Sequence, residues 1–187
     1  MKWIKDDEFI RGNIPMTKFN IRILTIGYLE IQEGDRLLDI GAGTGSISIE
    51  AALQGAEVWA VEREAEGVSL INSNNQKFNT GINIIKGHAP DALPGIRFNK
   101  CFIGGSGGKL KEIFSYLENH LEDNGILCGN FITLNNLSQF IDLLKSYNFK
   151  DIEVQLIQSA SMDRIGLMQG QNPIYIVKGV KSKCLVL

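Results

Sequence analysis

The chain has 187 residues, 44% hydrophobic and 21% charged, with 19 basic against 21 acidic side chains and a net charge of −2. That size supports one well-buried core and that composition is an ordinary globule's, while the near-neutral balance speaks against a nucleic-acid partner. Met1-Lys2-Trp3-Ile4-Lys5-Asp6-Asp7-Glu8 has no apolar run of signal-peptide length, and no stretch reaches the ~18 apolar residues that span a bilayer, so a cytoplasmic protein without a membrane partner is expected.

The first element is a helix over Lys18 to Leu29, with Phe19, Ile23, Ile26 and Leu29 on one stripe and Pro15-Met16-Thr17 as its start. After residue 34, strand-like and helical runs alternate. Strands are expected at Arg36 to Ile40, Glu57 to Val61, Asn83 to Lys86, Lys100 to Ile103 and Ile126 to Phe131. Helices are expected at Gly45 to Gln54, Ala65 to Phe78, Leu110 to His120 and Leu134 to Tyr147. That alternation points to a parallel sheet covered on both faces. The last two strands, Ile152 to Gln158 and Ile174 to Lys178, have no helical crossover between them and should therefore be antiparallel. One domain over 1–187 is expected, made of an extension over 1–34 and a Rossmann-like core over 35–187. The cysteines Cys101, Cys128 and Cys184 are odd in number and far apart, which reads as reduced thiols, and the first two fall inside core strands.

The first strand runs into Leu38-Asp39-Ile40-Gly41-Ala42-Gly43-Thr44-Gly45-Ser46. A buried strand, a tight glycine turn and a helix N-terminus form a site for an anionic group. A dinucleotide fingerprint needs G-x-G-x-x-G, but here the third glycine comes one place early. This G-x-G-x-G after an acid-ended strand resembles the first motif of class I S-adenosylmethionine (SAM) methyltransferases. The resemblance implies their three-layer α/β fold, with a seven-stranded, mostly parallel sheet ending in an antiparallel hairpin. Glu62 follows Gly41 at the ~20-residue offset where an acid takes both ribose hydroxyls.

Farther on, Lys86-Gly87-His88-Ala89-Pro90 resembles the methyltransferase segment that holds the adenine, with Ala89 offering its N–H. His88 suits a stacking or solvent-facing place better than that of a base, and His120 suits a helix C-terminus. Phe102-Ile103-Gly104-Gly105-Ser106-Gly107-Gly108-Lys109 is no P-loop, because Ile103 and Leu110 stand where Gly and Ser/Thr are required. Glycines at that strand end suit the close approach of a large ligand. No Asn/Asp-Pro-Pro-aromatic stretch is present there, which excludes the adenine amino-group methyltransferases.

Read in order, Ile14-Pro15-Met16-Thr17-Lys18, Asp39 to Ser46, Gly87-His88-Ala89-Pro90, Phe102 to Gly108 and Asn172-Pro173 are similar to the CbiT-type decarboxylating C15-methyltransferases of corrin biosynthesis. In bifunctional relatives this unit is the second half of precorrin-6Y C5,15-methyltransferase. The Pro-Met-Thr-Lys and Ile-Gly-Gly-Ser-Gly-Gly pieces are its most specific parts. The chain departs from the family pattern at Asn99-Lys100, where Asp is usual, and at Asn135, where Glu is common. The resemblance implies SAM as cofactor, held by Thr17, Asp39, Gly41, Ala42, Gly43, Thr44, Gly45, Glu62, Arg63, Gly87, His88, Ala89, Ile103 and Gly104. It implies a tetrapyrrole (precorrin) substrate, contacted by Lys18, Gly105, Ser106, Gly107, Lys109 and Arg164. The reaction would join methyl transfer to C15 of precorrin-6B, or its cobalt form, with loss of the ring-C acetate carboxylate. No metal ligand set and no acid–base dyad is implied. A separate C5-methyltransferase of CbiE type and a homotetramer are expected, and the apolar loop Ser159 to Gln171 (Met162, Ile165, Leu167, Met168) should be covered by a neighbouring subunit or by the macrocycle. Two other classes remain open on the residues alone: a SAM methyltransferase for RNA or a small metabolite, and a non-catalytic SAM-binding subunit.

Overall fold

The computed structural model describes residues 3–183; Cys184 and the apolar tail Leu185-Val186-Leu187 lie outside them. A short turn of 3-10 helix at Asp6–Glu8 precedes α1 (Phe19–Leu29). The chain then runs β1 (Arg36–Ile40), α2 (Ser46–Leu53), β2 (Glu57–Glu62), α3 (Ala65–Phe78), β3 (Asn83–Lys86), β4 (Phe98–Ile103), α4 (Leu110–His120), β5 (Leu121–Phe131) and α5 (Leu134–Ser146). It closes with β6 (Phe149–Ile157), β7 (Ala160–Met162), β8 (Met168–Gly170) and β9 (Ile174–Lys181).

Seven strands form one sheet in the order β3-β2-β1-β4-β5-β9-β6. β3, β2, β1, β4 and β5 run parallel, and β9 is antiparallel to both β5 and β6. This is the class I methyltransferase architecture, with helices on both faces. Ile26 and Leu29 of α1, Ile47 and Ile49 of α2 and Ile71 of α3 bury on one face. Ile113, Phe114 and Leu117 of α4 and Phe140 and Leu144 of α5 bury on the other. Phe114 meets Phe140 edge-on with ring centres 5.4 Å apart, and Phe149 at 5.9 Å. Removing that ring would cost about 3–5 kcal/mol.

The extension is anchored by a buried charge. Arg22 of α1 is fully buried. Its Nε donates to Glu50 of α2 at 3.2 Å, and Nη1 donates to Asp6 at 3.0 Å and to the Thr17 carbonyl at 2.8 Å. The guanidinium also lies 4.7 Å from the Phe9 ring centre. A buried arginine is tolerated because every face of it has a partner; removing one partner would strand the charge, at about 3–5 kcal/mol.

The sequence places β1, β3, α3 and α4 at the observed residues, and three differences have physical causes. β5 begins at Leu121 rather than Ile126, and β4 at Phe98 rather than Lys100, where the register between them shifts. β6 begins at Phe149 rather than Ile152 because a bulge between Lys150 and Glu153, with Asp151 at φ 49°, interrupts its alternation. The expected loop over Ser159 to Gln171 contains the β7–β8 hairpin. Asp163 organises its turn, accepting the N–H groups of Ile165 at 3.0 Å and Leu167 at 2.9 Å. A hairpin of three-residue strands with exposed apolar residues on every side carries no alternation to read.

Both described cysteines are buried, and burial pushes the Cys128 thiol up to about 12 and that of Cys101 also well above its usual range. Neither is a nucleophile. Among the described residues no helix is long and apolar enough to cross a membrane.

Candidate active site at the carboxyl edge of the sheet

Strand order reverses between β1 and β4, which opens a crevice at their carboxyl ends. Register decides what faces it. Ile40 lies level with Val61 and Ile103, and Glu62 level with Lys86, so the next residues out, Gly41, Glu62, Gly104 and Gly87, meet at one edge. The backbone stitches this edge together beyond the strands: Gly41 N–H donates to Val61 at 2.9 Å, Gly104 to Ile40 at 2.9 Å and Gly87 to Glu62 at 3.0 Å.

The edge encloses a cavity of about 440 Å³. Its walls are Ile40, Gly41 and Gly43 after β1, Val61 to Glu64 at the end of β2, Gly87 to Ala89 after β3, and Gly104 to Gly107 with Lys109 after β4. Ile14 and Pro15, ahead of α1, complete the lining. A second cavity of about 140 Å³ shares Gly104 to Ser106 and is bounded by Ile103, Leu110, Asn130, Phe131, Ile132 and Asn136. The glycine-rich loop after β4 is thus a wall between two spaces.

The glycines serve different ends. At Gly41 (φ 72°) a Cβ would lie 2.6 Å from the Gly105 carbonyl oxygen, so this glycine lets two loop backbones touch. At Gly43 (φ 59°) a Cβ would meet Ile14 and the Pro15 carbonyl at an ordinary 3.5 Å, so a larger side chain there would grow into the cavity. Gly45 precedes α2 and packs on Ile71 outside the lining.

Glu62 is buried, and its carboxylate is oriented by backbone. Oε2 accepts the Gly43 N–H at 2.8 Å and Oε1 the Glu64 N–H at 2.8 Å. A carboxylate offers about four acceptor sites, so two remain. Gly67 of α3 admits Glu62 beneath it, since a Cβ there would fall 2.6 Å from Glu62 Cγ.

Asp39 is fully buried and lies outside the lining. Burial pushes its pKa up to about 7; a hydrogen bond from Ser48 opposes the shift and the nearby Glu62 charge adds to it. Its Oδ1 and the Thr44 hydroxyl are buried without a protein partner.

At the cavity mouth stand two cations. Arg63 contacts Glu64 at 3.1 Å, with its guanidinium 3.3 Å from where a Cβ on Gly107 would sit. Lys109 lies 3.8 Å from Asp91. Among the described residues no group of three or more His, Cys, Asp or Glu side chains could hold a metal ion.

Of the residues singled out from the sequence, the cavity brings together Gly41, Gly43, Glu62, Arg63, Gly87, His88, Ala89 and Gly104, and with them Gly105, Ser106, Gly107 and Lys109. Ile103 lines the smaller cavity instead. Ala42 and Thr44 sit in the glycine loop without reaching the lining. Thr17 and Lys18 sit just ahead of α1, where the Thr17 carbonyl is taken by Arg22. Arg164 is exposed in the β7–β8 turn, away from either lining. Ile14, Pro15, Ile40, Val61 and Glu64 line the cavity without having been singled out. Ile40 and Val61 read as core because they end apolar runs, and Ile14 and Pro15 read as a helix start and part of a family motif, not as a wall; no periodicity marks a strap that crosses a site. Asn99, one of the departures from the family pattern, lies at the opposite end of β4. It accepts the Arg36 N–H at 2.8 Å and donates to Asp35 at 2.6 Å, a structural bracket.

The profile of the precorrin methyltransferase domain family matches residues 8–181. The chain is 36% identical to the cobalt-precorrin-6B C(15)-methyltransferase (decarboxylating) of Salmonella typhimurium, over 96% of this chain and 97% of that protein. Its fold superposes on the crystal structure of a precorrin-6Y C5,15-methyltransferase from Geobacter metallireducens with a TM-score of 0.90 at 30% identity, covering 95% of this chain and 97% of that one. A precorrin 8W decarboxylase from Methanobacterium thermoautotrophicum superposes with a TM-score of 0.88 at 28% identity, covering 94% and 98%.

Proposed function

This chain belongs to the precorrin methyltransferase domain family, and from that membership and the cavity we propose that it is a decarboxylating C15-methyltransferase acting on precorrin-6B or its cobalt form. One observation carries the reading to this chain's own residues: a carboxylate held by backbone at the end of β2 meets a side-chain-free glycine loop inside a cavity of about 440 Å³. That volume lies in the range of small-molecule sites.

The residues fit SAM. Glu62 keeps two acceptor sites for a ribose diol, and Gly43 leaves open the space a side chain would fill. Gly87 to Ala89 line the cavity beyond Glu62, where the adenine would lie. When bound, SAM supplies a methyl group already activated by its sulfonium.

The protein's work is then alignment and exclusion of water. Gly104 to Gly107 present backbone only slightly screened by the Ser106 side chain, so a broad, flat macrocycle can come close to the wall between the two cavities. Arg63 and Lys109 at the mouth suit a substrate that carries many carboxylates. In decarboxylation the bond between the acetate methylene and its carboxylate breaks, carbon dioxide leaves, and the electron pair passes into the conjugated ring. SAM, held by Glu62 and the loop at Gly43, would supply the methyl group that C15 takes with that electron pair. Neither step demands a strong acid or base, in keeping with a lining whose titratable groups are carboxylates, two cations and His88.

Assembly belongs to the same proposal. Met162 and Ile165 of the β7–β8 hairpin are 70% and 86% exposed, and Leu167 and Met168 are exposed beside them. We place this hairpin against a neighbouring subunit in a homotetramer, or against the macrocycle, with C5 methylation left to a separate CbiE-type subunit. The test is incubation of the protein with SAM and cobalt-precorrin-6B, followed by mass spectrometry. Gain of one methyl with loss of carbon dioxide is expected; an unchanged substrate would overturn the reading.

A further inference from the structure

The segment ahead of α1 is held by one face of α3. Glu66, Leu70 and Asn74 recur on that face at four-residue spacing. Asn74 is fully buried and spends its whole carboxamide. Its Oδ1 accepts the Ile10 N–H at 2.8 Å, while Nδ2 donates to the Ile10 carbonyl at 3.1 Å and to the Thr44 carbonyl at 3.1 Å. Glu66 accepts the Asn13 N–H at 2.6 Å, and Gly12 lies so close to it that a Cβ would fall 2.4 Å from its Oε1. Leu70 packs beneath, 3.2 Å from the same point.

Between these pins and α1 lie Ile14 and Pro15, which wall the cavity. One side chain therefore ties the strap at Ile10 to the glycine loop at Thr44, and the two opposed surfaces are set as a unit. No other polar group links the strap to that loop among the hydrogen bonds of the described residues.

We infer that Asn74 is a positioning residue for the cofactor, fixing the strap over 10–15 against the glycine loop so that the cavity is formed before SAM arrives. The inference rests on the reading that SAM occupies this cavity. The strap has no helix or strand of its own, so without its pins it samples many conformations. A ligand that must order it loses affinity in proportion to the fraction of molecules already competent. The role is chemically narrow. Reading the N–H and the C=O of one residue together needs an acceptor and a donor on one short side chain, and an aspartate carboxylate lacks the donor.

Two variants test this in the full chain. Asn74→Asp keeps the shape and removes both Nδ2 bonds; Glu66→Ala frees the strap at Asn13 from an exposed position and leaves the core untouched. SAM affinity by titration calorimetry should weaken about tenfold in Asn74→Asp and about threefold in Glu66→Ala. In both, turnover at saturating SAM should stay within about twofold of wild type while the KM for SAM rises, a split that loss of folded protein does not produce. Amide exchange at Ile10 and Asn13 should speed up without SAM and slow again with it. If Asn74→Asp fails to fold, Glu66→Ala decides alone. Wild-type protein that does not bind SAM would overturn the reading of the cavity and the inference with it. Wild-type binding with unchanged affinity in the variants would overturn the inference only.

Discussion

The carboxyl edge of the sheet and the β7–β8 hairpin are built on opposite plans. At the edge, hydrogen bonds within the protein hold the walls: Glu62 by the Gly43 and Glu64 N–H groups, and the strap by Asn74 and Glu66. At the hairpin, apolar side chains face outward and the one organising group, Asp163, only shapes the turn. The first plan suits a small ligand, for which affinity depends on a site that needs no rearrangement. The second suits a broad partner, because exposed apolar area is stabilising only once it is covered.

Breaking the edge should have the largest effect. Gly43→Val places a branched side chain in the cavity at a position with φ 59°, and SAM binding should vanish in calorimetry while the circular dichroism of the sheet and helices is kept. Wild-type affinity would refute the assignment of the glycine loop. Glu62→Ala should cost roughly 1–3 kcal/mol of SAM binding, the scale for hydrogen bonds to a charged group. An unchanged affinity would move the ribose elsewhere.

A subtler probe is pH. Asp39 has its pKa raised in the folded protein from 3.8 to about 7, so the folded state holds its proton more tightly than the unfolded chain does. The stability tied to that proton is complete below about pH 4 and is lost as pH rises through about 7. Melting temperatures of the ligand-free protein should therefore fall across that window by more than those of Asp39→Asn. Parallel curves would show that Asp39 is already ionised in the fold.

The hairpin should answer differently. Ile165→Asp with Leu167→Lys changes two exposed side chains, so the melting temperature should barely move, within about 0.5 kcal/mol of stability. Light scattering should nevertheless report a smaller particle than wild type. A wild-type particle of 20.7 kDa would remove the oligomer and leave the macrocycle to cover the hairpin.

How far each region could be read in advance follows from the same contrast. β1, β3, α3 and α4 were legible to the residue because apolar period and glycine or proline punctuation agree there. Glu62 was legible from its offset and the loop after β4 from its glycines. The walls made by Ile14 and Pro15 were not, since an irregular strap leaves no periodic trace. Asn74 was equally hidden: on sequence it is one polar residue in Asn72-Ser73-Asn74-Asn75, and only the packing of α3 under the strap distinguishes it from its neighbours. The motif makes Gly41 and Gly45 ligand-facing; in the fold Gly41 lines the cavity and also admits the Gly105 backbone, whereas Gly45 packs on Ile71 outside the lining. Thr17 follows from its motif, and Lys18 and Arg164 from the cations that a polycarboxylate substrate calls for; the fold sets all three outside the cavity lining.

On the proposed function, this edge transfers a methyl group to C15 of a corrin precursor that also loses carbon dioxide. Incubation with SAM labelled at its methyl carbon and with cobalt-precorrin-6B, followed by carbon NMR of the isolated product, addresses it most directly. One labelled methyl resonance is expected, on C15, in a product lacking the ring-C acetate carboxylate. A label on any other carbon, or a labelled product that retains that carboxylate, would contradict it.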